Sequence, residues 1–206
     1  RRGWGMFGAL FGSRTRKMEI FVPRTFRGRL SLSTTNARIA MEGCEALSSL
    51  LLKTTNASVS LQHCSGGELC CRSSNGALHV EDVHGDTLQA VTSNARVELT
   101  SCVWQGACGV HTSNGSISAS QVEAGSLSLQ SSNARIHVEQ VRASSITLAT
   151  SNGSIGGTVV GDPEEYTITT STSNASCSPK TRAIPGAQKA LSASTSNGSV
   201  ALQFVS

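Results

Sequence analysis

An asparagine preceded by Ser or Thr recurs through the chain at nearly constant spacing, and this repeat constrains the fold more than any other feature. The nine copies are Asn36, Asn56, Asn75, Asn94, Asn114, Asn133, Asn152, Asn174 and Asn197. Their spacings are 20, 19, 19, 20, 19, 19, 22 and 23 residues. A fixed period in this range is typical of a solenoid, in which each repeat packs on its neighbours.

Apolar residues hold fixed positions around each asparagine. In the copy at Asn133 they are Leu127, Leu129, Ile136 and Val138, and a Ser or Thr always stands two residues before the asparagine. Spacing by two places such side chains on one face of a strand, so each repeat reads as strand, asparagine corner, strand and second turn. We therefore predict an all-β fold, a parallel β-solenoid (single-stranded β-helix) of about nine repeats of 19–23 residues. A right-handed path is expected, because parallel crossovers almost always take that hand.

The residue after the asparagine alternates between Ala and Gly, which leaves two coil geometries open. Either each coil contains one repeat, which we favour, or it contains two, with Ala corners on one side and Gly corners on the other. Because Ala replaces Gly in five copies, glycine is predicted to be dispensable at this corner. Any residue with positive φ is then expected to be the asparagine itself. Stacked asparagine amides are predicted to bond from coil to coil as a structural ladder.

Charge divides the chain into a lead-in, residues 1–17, and a solenoid domain, residues 18–206. Residues 1–29 carry eight Lys/Arg and one Glu, a net of +7, whereas the remainder carries nine Lys/Arg and twelve acids, a net of −3. The array therefore has no basic footprint for nucleic acid, and only residues 1–17 suggest a weak membrane-surface contact. A first strand is expected over 18–22. Segments 161–166 and 178–186 are expected to form loops that lengthen the last two coils.

Six of the seven cysteines occupy inward positions of the repeat and are predicted to be core thiols, because free Cys behaves as a small apolar residue. They are Cys44, Cys64, Cys71, Cys102, Cys108 and Cys177. The alternative is a disulfide, for which Cys44 and Cys64, one period apart, are the best candidates. The odd count argues against a secreted disulfide scaffold.

No catalytic, cofactor or metal site is predicted. The densest titratable group is His79, Glu81, Asp82, His84 and Asp86, which we interpret as a polar turn rather than a divalent-metal site. The cysteines lack the spacing of a zinc site. Carboxylates are not paired on adjacent coils as glycoside hydrolysis requires, and no nucleophile or phosphate-loop motif occurs.

The Ser/Thr-Ser-Asn-Gly-x-Ile corners, preceded by Leu-x-Leu, resemble the bacterial adhesin-like family of β-solenoid domains of unknown function. The entry segment 20–32 and the segments 166–174 and 191–200 carry the resemblance further. It implies a non-enzymatic binding or scaffold module of the cell envelope or cell surface, with a protein or glycan ligand. The alternative is a cytoplasmic or membrane-associated accessory regulator of envelope stress. A polysaccharide-active enzyme is a distant third reading.

Overall fold

The computed structural model of the 206-residue chain describes residues 20, 22–23 and 26–206. The lead-in 1–17 lies outside these residues, as does most of the strand expected over 18–22. Within the described part of the chain, no helix is long and apolar enough to cross a bilayer.

Thirteen strands and one short helix form the described fold. The strands are β1 (Arg29–Ser33), β2 (Ile39–Glu42), β3 (Leu47–Lys53), β4 (Val59–Arg72), β5 (Leu78–Val91), β6 (Val97–Thr112), β7 (Ile117–Ser131), β8 (Ile136–Ala149), β9 (Ile155–Val160), β10 (Tyr166–Ser171), β11 (Cys177–Ser178), β12 (Lys189–Ser194) and β13 (Val200–Val205). A 3₁₀ helix, Pro163–Glu165, lies between β9 and β10.

Strands stack in parallel with a register of one repeat. Leu50 of β3 pairs with Leu69 of β4, which pairs with Leu88 of β5. The same one-repeat offset continues through β6, β7 and β8. The β-solenoid is therefore confirmed, and each coil contains one repeat rather than two.

The core is a column of inward side chains, one set per coil. Around Asn133, Leu129, Ile136 and Val138 are completely shielded, as the spacing of two predicted. Trp104 in β6 is also buried, and a Cβ on the adjacent Gly85 would come within 3.0 Å of its ring. The coil therefore accommodates this large ring because its neighbour has no side chain there.

Among the described non-glycine residues, Ala46 just before β3 has positive φ, and the other five with positive φ lie at the second corner of the coil. Their φ values are 50–53°, and they are His63, Asp82, Ser101, Gln121 and Gln140, each seven residues after an asparagine. None of the nine corner asparagines is among the positive-φ residues, so the condition under which asparagine was expected to adopt positive φ does not arise at this corner. The asparagine corner turns differently, because the hydroxyl two residues earlier accepts a backbone N–H, as Thr112 does from Gly115 at 3.1 Å.

Glycine is required at four of the asparagine corners, so the prediction that it is dispensable is wrong there. A Cβ at Gly115 would lie 1.7 Å from the carbonyl oxygen of Ala95 in the preceding coil. The corresponding distances at Gly76, Gly153 and Gly198 are 1.7–2.0 Å. These corners approach the next backbone too closely for any side chain.

The last two coils are stacked in the reverse of their chain order. Strand β12 lies between β8 and β10, and β13 lies between β9 and β11. The coil of residues 189–205, here called the C-terminal coil, is thus inserted before the coil of residues 166–178, here called the terminal wall. Segments 161–166 and 178–186 are therefore crossovers to and from the terminal wall, not loops that lengthen two successive coils.

Candidate functional site

The corner asparagines are joined side chain to side chain along the whole array. Every amide except that of Asn36 donates to the Oδ1 of an adjacent coil's asparagine at 2.7–2.8 Å. The spatial order ends Asn152, Asn197, Asn174, because the C-terminal coil is inserted. These bonds occupy one donor and one acceptor lone pair of each interior amide, which fixes the orientation of its side chain along the array.

A second, buried row of hydroxyl bonds runs beneath the asparagines. From Asn56 onward, the Ser or Thr two residues before the asparagine donates to the carbonyl of the residue after the neighbouring coil's asparagine. Examples are Thr112 to Ala95 at 3.3 Å, Ser131 to Gly115 at 3.0 Å and Thr195 to Gly153 at 2.9 Å. This bond explains why the position is always Ser or Thr.

The titratable residues of the middle coils form a network on the outer side of the strands that follow the asparagines. We call it the charged cluster: Gln62, His63, His79, Glu81, Asp82, Arg96 and Glu98. The His79 ring lies 3.1 Å from a carboxylate oxygen of Glu81 and 3.5 Å from one of Glu98, and Arg96 pairs with Glu98 at 3.1 Å. Its acids are therefore engaged by neighbouring side chains.

Two pKa values in the charged cluster shift as this pairing requires. The Gln62 amide donates to Glu81 at 2.6 Å and, with His79, lowers the pKa of that carboxyl. The Asp82 carboxylate lies 2.8 Å from His63 and raises the pKa of its ring. Both directions favour the charged forms, as in a solvated ion-pair network.

The structure separates the five titratable residues that cluster in the sequence. His79 and Glu81 lie on one side of the coil with Asp82 at its corner, whereas His84 and Asp86 lie past that corner. In the part of the chain that the structure describes, no group of three or more His, Cys, Asp or Glu residues is placed to hold a metal ion.

In the last four coils, the strand residues that precede each asparagine form an uncharged outer surface. We call this surface the hydroxyl face. Its outward residues are Ser126, Ser128 and Gln130 of β7, Ser145, Thr147 and Ala149 of β8, Ala190, Ser192 and Ser194 of β12, and Thr167, Thr169 and Ser171 of β10. Nine of these twelve carry a hydroxyl and none is charged.

Register aligns the hydroxyl face into rows. Ser128, Thr147, Ser192 and Thr169 are successive partners across four coils. Adjacent strands lie about 4.8 Å apart, and alternate residues along a strand about 7 Å apart, so the hydroxyls form a regular grid. The equivalent positions of the first coils carry charge instead, as at Arg29, Lys53, Glu68 and Arg72.

Sequence reasoning did not single out the hydroxyl face. The available signal was the run of small polar residues at the outward phase, three, five and seven residues before each late asparagine. Insertion of the C-terminal coil places Ser192 and Ser194 in the middle of the grid rather than at its end.

The predicted core thiols are mostly buried. Cys64, Cys71, Cys102 and Cys108 are at most 3% exposed, whereas Cys44 and Cys177 are half-buried against the core. Burial raises the pKa of Cys71 to about 12 and that of Cys102 to about 11. All seven cysteines are unpaired, including the bridge candidates Cys44 and Cys64.

Two shallow depressions lie near the end of the array. One, of about 300 Å³, is lined by His137, Glu139, Gln140 and Thr158 among others. The other, of about 320 Å³, lies between the 3₁₀ helix and residues 184–189. Neither includes a residue of the hydroxyl face.

No protein-family model, curated protein or solved structure matches this chain. The resemblance to the adhesin-like family stays a prediction.

Proposed function

We propose that this chain is a non-enzymatic, adhesin-like binding or scaffold module, and that its ligand is an extended neutral glycan bound along the hydroxyl face. The observation that carries the proposal is the grid of nine hydroxyls on four in-register strands. A protein partner is the second ligand class that this surface could serve.

The chemistry of the grid favours an uncharged, polyhydroxylated ligand. Hydroxyls both donate and accept, so each can pair with a sugar hydroxyl directly or through water. The face has no aromatic or arginine side chain, the residues that usually anchor protein interfaces. Each hydrogen bond contributes only about 1 kcal/mol net, so a long ligand that spans several coils is required.

In this proposal the asparagines form a ladder that supports the binding face and takes no part in binding. Their amides are already bonded between coils. A rigid array keeps the hydroxyls in place before the ligand arrives, which reduces the entropy lost on binding.

The test is a binding array that holds neutral polysaccharides, anionic polysaccharides and peptides. Ser128→Lys with Thr147→Lys places two charges in the centre of the hydroxyl face and should weaken binding at least about tenfold, equal to about 1.4 kcal/mol. Ser118→Lys is the control. Ser118 is also an outward, half-exposed serine of β7, but it lies before the second corner at Gln121 and therefore on a different side of the coil from the hydroxyl face. Binding that resists the double substitution, or is lost equally in the control, would remove the hydroxyl face as the site.

A glycan-degrading activity is the competing proposal from another class. Its best acids are Glu81 and Glu98, both of which contact His79. If the chain cleaved a polysaccharide and Glu81→Gln abolished the cleavage, the non-enzymatic proposal would be wrong. We expect no release of reducing ends from any glycan that binds.

Placement in the cell envelope is part of the proposal, and the seven unpaired cysteines favour the alternative of a reducing, cytoplasmic location. Labelling of intact cells with a reagent that does not enter them separates the two. Labelling of the full-length protein favours an adhesin-like role, and protection favours an accessory regulator.

A further inference from the structure

The C-terminal coil does not form the end of the array. It fills a slot, the space between β8 and β9 on one side and the terminal wall on the other. Its first strand, β12, pairs with β8 on one side and β10 on the other, and its second strand, β13, pairs with β9 and β11. The later of the two coils in the sequence is thus paired along both edges. If this coil leaves, it exposes two parallel strand edges that face each other.

The terminal wall is attached to the body by contacts that bypass the C-terminal coil. Tyr166 is fully buried, and its hydroxyl donates to the carbonyl of Ala143 at 3.1 Å. Ala143 belongs to β8, the far side of the slot. The short crossover 161–165 also joins β9 directly to β10. These links hold the terminal wall at a fixed distance from β8 and β9, and none of them involves the C-terminal coil itself.

The outer edge of β10 in the terminal wall is covered at residues 168–170. Ile168 exchanges two backbone hydrogen bonds of 2.8 Å with Arg182, and the Thr181 hydroxyl bonds the backbone of Thr170. Arg182 also pairs with Glu164 of the 3₁₀ helix. On β10, the edge that opens when the C-terminal coil leaves therefore faces the slot.

The slot selects a coil with a particular pattern. Inward Leu191, Ala193, Val200 and Leu202 are at most 3% exposed. Asn197 donates to Asn152 and accepts from Asn174, both at 2.7 Å. A ligand for the slot must supply alternating small aliphatic residues on both sides of a Thr-Ser-Asn-Gly corner, and the same coil of a second copy meets all of these requirements.

We propose that the C-terminal coil is an exchangeable unit, and that its slot accepts the C-terminal coil of a second copy of this chain. In the single chain the tethered coil has an effective concentration in the millimolar range, so it excludes the copy from outside. Exchange becomes visible when the chain's own coil cannot dock. The Lys189 ammonium, 2.6 Å from Glu165 and over the Tyr166 ring, joins this coil to the crossover that leads to the wall.

The experiment uses the full chain with Leu191→Asp, because a buried charge at this position prevents the chain's own coil from docking. The probe is a fluorescent peptide of residues 187–206, which represents the coil of a second copy. The variant should bind the peptide at least about 10²-fold more tightly than the wild-type chain does, because no tethered competitor remains. A peptide with Leu202→Asp is the matched control and should not bind. Tyr166→Phe, added to the variant, should weaken peptide binding, because it removes the hydrogen bond from Tyr166 to Ala143 that holds the terminal wall in position.

No binding of the wild-type peptide to a folded Leu191→Asp chain would overturn the proposal. Equal binding to wild type and variant, or binding of the control peptide, would overturn it too, since the peptide would then lie elsewhere. If the variant does not fold, amide hydrogen exchange of the wild-type chain decides. Concerted opening of residues 189–205, with the wall's edge amides, supports an exchangeable unit, and exchange one residue at a time from the C-terminus contradicts it.

Discussion

At the scale of single residues, each interior asparagine has a side chain that donates in one direction along the array and accepts from the other. Asn133 donates to Asn114 and accepts from Asn152, both at 2.7 Å. Asn36, in the first coil, takes part in one such bond, from Asn56. Position in the row therefore decides how many bonds a substitution removes.

Asn133→Ala should lower the free energy of unfolding by about 1–2 kcal/mol, because it removes two partly solvated hydrogen bonds. Asn36→Ala is the matched control and should cost about half as much. Both are measured by urea denaturation, with glycan binding followed in parallel. A stability equal to that of the wild-type chain would show that the row contributes nothing, and a loss of binding without a loss of stability would make the asparagines ligand residues.

Gly115→Ala should cost about 2 kcal/mol or more, since its Cβ would collide with the carbonyl oxygen of Ala95. The reciprocal change one coil later, Ala134→Gly, should cost less than about 1 kcal/mol, the ordinary entropic cost of glycine. Thermal unfolding of the two variants gives the comparison. Similar losses in both would mean that the corner relaxes and that the Ala–Gly alternation has no steric cause.

At the scale of the elements, the second corner allows β4 to β8 to continue from one side of the coil to the next. Each of these strands passes through one left-handed residue of φ 50–53°. A non-glycine residue in this conformation costs about 1–2 kcal/mol. The corner residues of these strands are His, Asp, Ser and Gln, none of which is β-branched.

Gln140→Gly should raise the free energy of unfolding by up to about 1 kcal/mol, because glycine adopts positive φ without steric cost. The backbone N–H of residue 140 keeps its 2.8 Å bond to Thr158 in the variant. Gln140→Val is the opposite control and should be clearly destabilising, since a β-branched side chain is disfavoured there. Chemical denaturation of the pair checks the order; a valine variant as stable as the glycine variant would contradict it.

The repeated elements also show what the sequence could and could not predict. The inward positions follow from a period of two counted from each asparagine, and Leu129, Ile136 and Val138 are buried as expected. The left-handed corner carries no such signal, since its residues share only their polarity. The reversed order of the last two coils was equally hidden, because the inward Ile168 and Thr170 of β10 and Leu191 and Ala193 of β12 follow the same period of two before their asparagines.

At the scale of the whole molecule, the buried thiols link stability to alkaline pH. Burial raises the pKa of Cys71 to about 12 and of Cys102 to about 11, from an ordinary 9.0. The stabilisation is fully present below pH 9.0, the ordinary thiol pKa. It is lost as pH rises toward the folded values, because the unfolded chain releases its thiol protons first.

Between about pH 9 and about pH 11 each of these two thiols should lower the free energy of unfolding by up to about 1.4 kcal/mol per pH unit. The double variant Cys71→Ala, Cys102→Ala should show a shallower slope than the wild-type chain. Urea midpoints across this range provide the measurement. An unchanged slope in the double variant would mean that other groups govern the alkaline transition.

The insertion of the C-terminal coil also limits how such an array grows. An ordinary solenoid is lengthened by adding a repeat at either tip, because each new coil needs only the edge of the last one. Here Val205 pairs with Val160, one coil short of the tip, so residues appended after it emerge from the flank of the rod. A second copy of the repeat 189–205, placed directly after it, would find no free strand edge on that coil, because both of its edges are already paired. A coil inserted before residue 161 would instead lengthen the regular part of the array and leave this crossed arrangement unchanged.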